Sequence, residues 1–433
     1  MNDESNQQLK HRIVIIGGGF GGLDAAKALK RVPAQVTLID KRNFHLFTPM
    51  LYQVATGGLS PGDITSPLRH ILARQRNTQV LLAEVTRIDT GRRIVFCGTQ
   101  DIPYDSLIVA VGATHDYFSH PEWHQYAPGL KTIEDAITIR SRIFRAFENA
   151  ERESDPKVQG RHLTFVIIGG GATGVELAGA LGEIAHDTLK HDFRRINPGS
   201  AHVFLIEASP RLLTSFPEKL SRKATRSLER LGVTVLTDHR VISITADRVE
   251  LSSGDSSRSL ESSTIIWAAG VRGYKLGVTL VEGRAEYLDR QGRVKVNADM
   301  TVPGHPEIFV VGDLATYPYQ TGSPLPGTSP VAMAQGRFAA GAIKARLHGR
   351  PEKKFRYFNK GELAVIGRAA AVANFGWLQV SGFLAWLLWL FVHLMYLVEF
   401  ENRILVFIQW GYNYLTFNRG ARLITFEKNQ PAD

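Results

Sequence analysis

Residues 13–29, IVIIGGGFGGLDAAKAL, and residues 165–181, FVIIGGGATGVELAGAL, carry one pattern of apolar and small positions. Each has a run of β-branched residues, a glycine-rich turn and an Ala/Leu-rich stretch of helical character, which predicts strand, tight turn and helix N-terminus. The two agree at 10 of 17 positions and are offset by 152 residues, so the chain contains an internal duplication. Other apolar runs of strand length end on an acid or a glycine: QVTLID at Asp40, HVFLIE at Glu207, YDSLIVAVGAT, STIIWAAGVRG and IFVVGD. A β-rich stretch, TQVLLAEVTRIDTGRRIVFC, belongs to the first half. A helix over roughly Ile133–Arg152 bridges the halves, and AMAQGRFAAGAIKARL reads as a helix after a Pro/Gly-rich loop. Further on, Ala-Val-Ile-Gly-Arg and Ala-Val-Ala-Asn-Phe-Gly read as short strands separated by an arginine, with helix resuming near Trp377.

The glycines have separable physical reasons. Gly17 and Gly169 allow the tight turn that leaves the strand. Gly19 and Gly171 lack a Cβ, so a pyrophosphate can approach the backbone. Gly22 and Gly174 let the helix pack on its strand. The unpaired N–H groups and positive end of each helix then hold phosphate charge. Asp40 lies 18 residues beyond Gly22, and Glu207 ends the matching strand of the second half. An acid there accepts hydrogen bonds from ribose hydroxyls and repels a 2′-phosphate; the alternative is a solvated acid at a strand end. Glu207 therefore points to NADH over NADPH, although Arg211 lies close enough in sequence to blur the choice. Two dinucleotide sites in one chain imply electron transfer from one dinucleotide to the other.

At 433 residues the chain has room for two to three domains. The polar start, MNDESNQQLK, is not a signal peptide. A single cysteine, Cys97, cannot pass electrons through a Cys pair and reads as a small core residue. Net charge is +10, and between Arg337 and Lys360 there are eight Lys/Arg and one acid, Glu352. With no nucleic-acid motif beside it and apolar, aromatic sequence following, this cluster fits an anionic membrane surface; an ordinary solvated basic surface is the other reading. From Ala369 to Val398 no Asp, Glu, Lys or Arg occurs, and ILVFIQWGYNYLTF follows between Arg403 and Arg419. Tryptophans at 377, 386, 389 and 410, with His393, favour helices lying in one leaflet over a spanning helix or a buried core or dimer helix. No metal is expected.

NFHLFTPMLYQVATGGLSPGDI (43–64), GVELAGALGEIA, IIWAAGV, IFVVGDLAT, NKGELAVIGRAAAVA and the AWLLWLFVHLMYL tail together resemble the type II NADH dehydrogenases, the non-proton-pumping NADH:quinone oxidoreductases of the two-dinucleotide-binding flavoproteins. The resemblance covers roughly residues 10–425. It implies an α/β fold with two Rossmann-like dinucleotide-binding domains, the NADH domain inserted in the FAD domain, plus a C-terminal membrane-attaching region. The limits expected are 1–118 and 285–345 for FAD, 119–284 for NADH and 346–433 for membrane association and the quinone site. Non-covalent FAD would be held by Gly17, Gly19, Phe20, Gly22, Asp40, Lys41 and Asp313. NADH would lie over Gly169, Gly171, Gly174, Glu207 and Gly270. Thr48 and Pro49 would meet the flavin edge, while His45 reads as structural.

Glu176 resembles the family glutamate near nicotinamide and flavin, where it would orient nicotinamide or assist proton delivery. Its alternative is an acid favoured by the dipole in a helix's first turn, as Asp24 stands at the same place in the first repeat. Gln335 matches the second glutamine of the family's quinone-facing helix, or is an ordinary packing residue; Val331 replaces the first. Ile366 is a weaker quinone-pocket candidate. The implied partners are NADH, a membrane quinone, an anionic bilayer surface on the cytoplasmic face of the cell inner membrane, and a second copy of the chain as homodimer. The cofactor would carry the hydride and electron chemistry, so little acid–base machinery is needed. Two rival functions are an NADH-dependent reductase of a soluble redox protein, such as a ferredoxin or rubredoxin, and a nucleotide-sensing scaffold.

Overall fold

The computed structural model describes residues 11–351, 353–416 and 419–425. Glu352 of the basic stretch, Phe417 of the second aromatic segment and the polar N-terminal decapeptide lie outside the described residues. The chain forms two compact units: residues 1–46, 65–114 and 271–359 in the first, and 47–64, 115–270 and 360–433 in the second.

In the first unit, His11–Ile16 pairs in parallel with Ala34–Asp40 on one side and Ser106–Val109 on the other. Thr78–Leu82 extends the sheet beyond Ala34–Asp40. His305–Val310 comes in parallel beside Ser106–Val109, nearly 200 residues later in the chain. The chain thus leaves this sheet, builds another unit and returns. Buried β-branched residues on both faces of these strands suit a parallel sheet covered by helices. One covering contact is unusually close. A Cβ on Gly336, in helix Ser329–Leu347, would lie 2.0 Å from the Gly21 carbonyl of helix Phe20–Ala28. Cys97 is buried at the end of strand Ile94–Cys97, as a small core residue.

The second unit repeats the arrangement. Thr164–Ile168 sits between Thr264–Trp267 and His202–Ile206, with Val233–Leu236 outside the latter, all parallel. The order of closing strand, motif strand, acid strand and outer strand is the same in both sheets. Helix Ile133–Arg152 falls where predicted, its start fixed by a capping box between Thr132 and Asp135. Helix Ala172–Glu183 runs on into a π-helical turn, Ile184–Thr188. Against it packs an antiparallel sheet of Glu362–Gly367, Ala370–Asn374 and Gln379–Gly382.

The first two of these strands match the sequence reading, including the turn at Arg368. Helix does not resume near Trp377, however. Gly376 turns the chain at φ +82°, a third strand pairs with the second, and helix starts only at Phe383 after Gly382 at φ +79°. Pairing of Gln379–Gly382 satisfies backbone groups that the apolar pattern alone assigns to a helix. The tail then forms helices Phe383–Tyr396 and Phe400–Thr416. No helix among the described residues is long and apolar enough to cross a membrane. Both helices nonetheless leave large apolar side chains in the open, among them Phe391, Phe407, Ile408 and Leu415, and Trp377 before them is 87 % exposed.

The compact units divide the chain differently from the three sequence segments. Residues 47–64 and the tail pack in the unit of the second nucleotide motif, and the return to the first unit begins at Val271.

Candidate functional site

Both glycine turns have the geometry of a dinucleotide cradle. Gly17 and Gly169 stand at φ +102° and +112°, where side chains are strained. A Cβ on Gly22 would lie 1.8 Å from the Gly17 carbonyl oxygen, and one on Gly174 equally close to that of Gly169. These positions admit only glycine while the turn keeps its shape. Gly19 and Gly171, by contrast, face open space. The residues present therefore fit a pyrophosphate over each helix start, at Phe20 and Ala172.

The acids are built in alike. Asp40 accepts from the backbone N–H of Gly18 (2.5 Å) and of Arg42 (2.7 Å). Glu207 accepts from Gly170 (2.6 Å) and Ser209 (2.7 Å). Each carboxylate thus ties its own strand end to the glycine turn and keeps lone pairs for ribose hydroxyls. Burial pushes the Asp40 carboxyl upward, opposed by those two N–H groups. Arg211 does not offer its guanidinium to a phosphate. Its Nη1 donates to the carbonyls of Phe216 (2.6 Å) and Leu213 (3.4 Å), and its Nη2 to that of Thr214 (2.7 Å).

In the first unit, Asp313 lies partly exposed in the turn Gly312–Leu314, whose Gly312 stands at φ +74°. Gln335 is buried, and its Oε1 accepts from the Gly312 N–H at 2.7 Å, so this glutamine holds the Asp313 turn. Val331 is buried on the same helix. Lys41 is exposed and donates to the Tyr274 hydroxyl at 3.3 Å. His45 is 2 % exposed, and its Nδ1 donates to the Gly18 carbonyl at 2.9 Å, with the Phe20 ring edge-on to the imidazole. It is structural, as expected. Burial lowers its pKa to about 4, so the folded chain holds it neutral. Between pH 6.5 and 4 the unfolded chain binds a proton there and the folded chain does not. Stability is therefore full above pH 6.5 and falls as pH drops towards 4, by about 3 kcal/mol. Denaturant titrations across that window should show the decline, and His45→Asn should lessen it without abolishing it, because His393, likewise lowered to about 4 by burial, titrates in the same window.

In the second unit, Gly270 follows strand Thr264–Trp267 at φ +68°, packed against the Phe118 ring. Thr48 is exposed and Pro49 partly so, in the turn Thr48–Met50 that leads into helix Leu51–Ala55. Neither Glu176 nor Asp24 lies in its helix's first turn, so the helix dipole does not account for these acids. Asp24 instead pairs with Arg337.

Glu176 opens onto a cavity of ≈ 880 Å³, mouth included, which also takes in Ile366 and the tail tryptophans at 386, 389 and 410. Four separate segments wall it: Tyr52, Gln53 and Gly58; helix Ala172–Glu183 with its π turn; residues 365–368; and the tail through Trp386, Trp389, Trp410 and Arg419. π turns recur at functional sites. The approach between two walls depends on Gly179, where a Cβ would lie 1.5 Å from the Ile366 carbonyl oxygen. One signal of this existed in the sequence: the first repeat has Lys27 at the corresponding place. The tail is stitched to residues 53–58 by polar contacts. Trp410 Nε1 donates to Gln53 Oε1 (2.8 Å), Asn413 Nδ2 to the Gly58 carbonyl (3.2 Å) and Arg419 Nη1 to Thr56 Oγ1 (2.9 Å). Arg419 also pairs with Glu183 at 2.8 Å.

Burial pushes the Glu176 carboxyl well above the usual carboxylate range, only partly offset by the Val365 N–H. Burial likewise raises the Tyr52 phenol, and Glu176 adds to the effect. The cavity thus presents the Glu176 carboxyl and the Tyr52 phenol, both shifted upward, within a largely apolar, aromatic wall. It suits a flat, mainly apolar molecule bearing acceptor oxygens.

Residues 11–336 match the family model of the pyridine nucleotide-disulphide oxidoreductases, and residues 359–419 match the NDH2 C-terminal domain. Two type II NADH:quinone oxidoreductases of Mycobacterium tuberculosis, Ndh and NdhA, are 43% and 45% identical to it over 424 and 426 residues. Each alignment covers 96% of this chain and 90% of the relative. The fold matches NDH2 from Plasmodium falciparum, solved in complex with NADH, with a TM-score of 0.86 at 21% identity over 95% of this chain and 99% of that one. The chain therefore belongs to the type II NADH:quinone oxidoreductases, within the pyridine nucleotide-disulphide oxidoreductase family.

Proposed function

We propose that this protein oxidises NADH and passes the electrons through non-covalent FAD to a membrane quinone, without pumping protons. The observation that carries this reading is the pairing of two glycine cradles, each closed by its own acid, with an apolar cavity walled by the tail. Bound FAD supplies the centre that takes up hydride and gives electrons on. Gly17, Gly19, Phe20, Gly22, Asp40, Lys41 and Asp313 hold it, with Gln335 positioning the Asp313 turn and Thr48 and Pro49 meeting its reactive edge. Gly169, Gly171, Gly174, Glu207 and Gly270 hold NADH, and the engaged guanidinium of Arg211 favours it over NADPH. The quinone enters the cavity of Tyr52, Ile366 and the tail tryptophans, where Glu176, its carboxyl shifted upward by burial, faces it.

The tail lies in one leaflet of the cell inner membrane on its cytoplasmic face. The exposed apolar side chains of its helices support this, because such faces are costly in water and favourable at a lipid boundary. Exposed Lys353, Lys354, Arg356 and Lys360 suit anionic headgroups. The assembly is a homodimer, checked by mass measurement in detergent.

The test uses purified full-length protein in mild detergent, following NADH absorbance with and without a short-chain quinone, then with NADPH. Rapid quinone-dependent loss of NADH and poor use of NADPH are expected. Flavin bleaching without turnover on quinone would turn the search for an acceptor to soluble redox proteins. Flotation with vesicles should show binding that strengthens with anionic lipid content, and equal recovery on neutral vesicles would remove the basic stretch from the attachment.

A further inference from the structure

The polar contacts on one wall of the cavity run in a fixed direction. An indole N–H can only donate, so the atom of Gln53 that meets Trp410 Nε1 at 2.8 Å is its carbonyl oxygen. This orients the amide, and Gln53 Nε2 is thereby turned to Tyr52, donating to its hydroxyl oxygen at 3.0 Å. The phenol accepts from Gln53, which leaves its own O–H to donate. Among the described residues that proton has no acceptor, although Tyr52 is 8 % exposed and lines the cavity. Buried donors without an acceptor are rare in folded proteins and call for an explanation. A second one stands on the same cavity: Trp389 Nε1, in a side chain 3 % exposed, has no partner among the described residues. Two such donors in one apolar wall point to a missing acceptor that the ligand brings.

We propose that the Tyr52 hydroxyl donates a hydrogen bond to a carbonyl oxygen of the quinone, aimed by the relay from Trp410 through Gln53. The inference rests on the reading of this cavity as the quinone site. Tyr52 keeps its phenolic proton; it holds the carbonyl in place and polarises it, while the quinone becomes quinol by taking up two electrons from the reduced flavin and two protons from elsewhere. The relay gives the tail helix a second task. Trp410 is carried by Phe400–Thr416, so seating of that helix sets the direction of the donor.

Tyr52→Phe removes one oxygen and leaves the ring. It should raise KM for a short-chain benzoquinone by roughly 5- to 10-fold, the worth of one neutral hydrogen bond. Stopped-flow reduction of the flavin by NADH, and turnover on ferricyanide, should be unchanged. Trp410→Phe frees the Gln53 amide and should raise the same KM, and the double variant should be no worse than Tyr52→Phe alone, because both act on one donor. Leu390→Trp, which narrows the cavity from a partly exposed position, serves as control on the site. If it raises quinone KM while Tyr52→Phe does not, the donor assignment is wrong and the cavity reading stands. If neither variant alters quinone kinetics, the cavity is not the quinone site and both fall. Additive effects of Tyr52→Phe and Trp410→Phe would overturn the relay.

Discussion

Gly179→Val is expected to cut quinone-dependent NADH oxidation by about 100-fold or more, while NADH still bleaches the flavin. The glycine is not there for backbone freedom, since it sits inside helix Ala172–Glu183. It is there because the strand Glu362–Gly367 crosses so near that a Cβ would lie 1.5 Å from the Ile366 carbonyl oxygen. One side must retreat. The helix is anchored by Val175, Leu177, Ala178 and Leu181, all buried, whereas the strand belongs to a small three-stranded sheet. We expect the strand to move, carrying Val365, Ile366 and Arg368 out of the cavity wall. Displacements of about 1 Å near a reacting centre cost on the order of 100-fold in rate. Comparing stopped-flow flavin reduction with steady-state quinone turnover separates the two half-reactions. Unaltered quinone turnover would mean that this wall does not shape the acceptor site.

Glu207→Ala should lower kcat/KM for NADH by about 100-fold or more and leave FAD content intact. The carboxylate holds two backbone N–H groups, on Gly170 and Ser209, and under the proposed function also meets the ribose. Bonds to a charged group are worth about 1.5–3 kcal/mol each, and removal frees the glycine turn as well. The strand-end acid of the first unit makes the equivalent pair of bonds to Gly18 and Arg42, so Asp40→Ala should have the opposite signature, with flavin lost on purification. Flavin absorbance per chain, measured beside NADH kinetics, distinguishes them. Loss of FAD from the Glu207 variant would reverse the assignment of the two cradles.

Much of the first-order organisation was open to reading because its causes are local. Strand, glycine turn, helix and terminal acid fall within residues 11–40 in the first half and 164–207 in the second, and each glycine answers to atoms of its own turn: Gly22 to the Gly17 carbonyl, Gly174 to that of Gly169. The duplication made the two halves check one another. The tail was harder. Gln379–Gly382 looks like the start of an apolar helix, and only its pairing with Ala370–Asn374 makes it a strand. The family's flavin-edge segment offers Thr48 and Pro49 as candidates, yet the residues close by that wall the cavity, Tyr52 and Gln53, carry no local mark of that role. Nothing in their own segment shows that Trp410 donates to Gln53 from 357 positions away.

By itself, then, the chain's sequence determined the fold class, the two nucleotide cradles with their acids, and the apolar tail, since side-chain periodicity and glycine sterics act over short stretches. Tertiary structure alone decided the cavity. Its walls come from four distant segments, its width from a helix–strand contact at Gly179, and its donor direction from a tail indole that can only give a hydrogen bond.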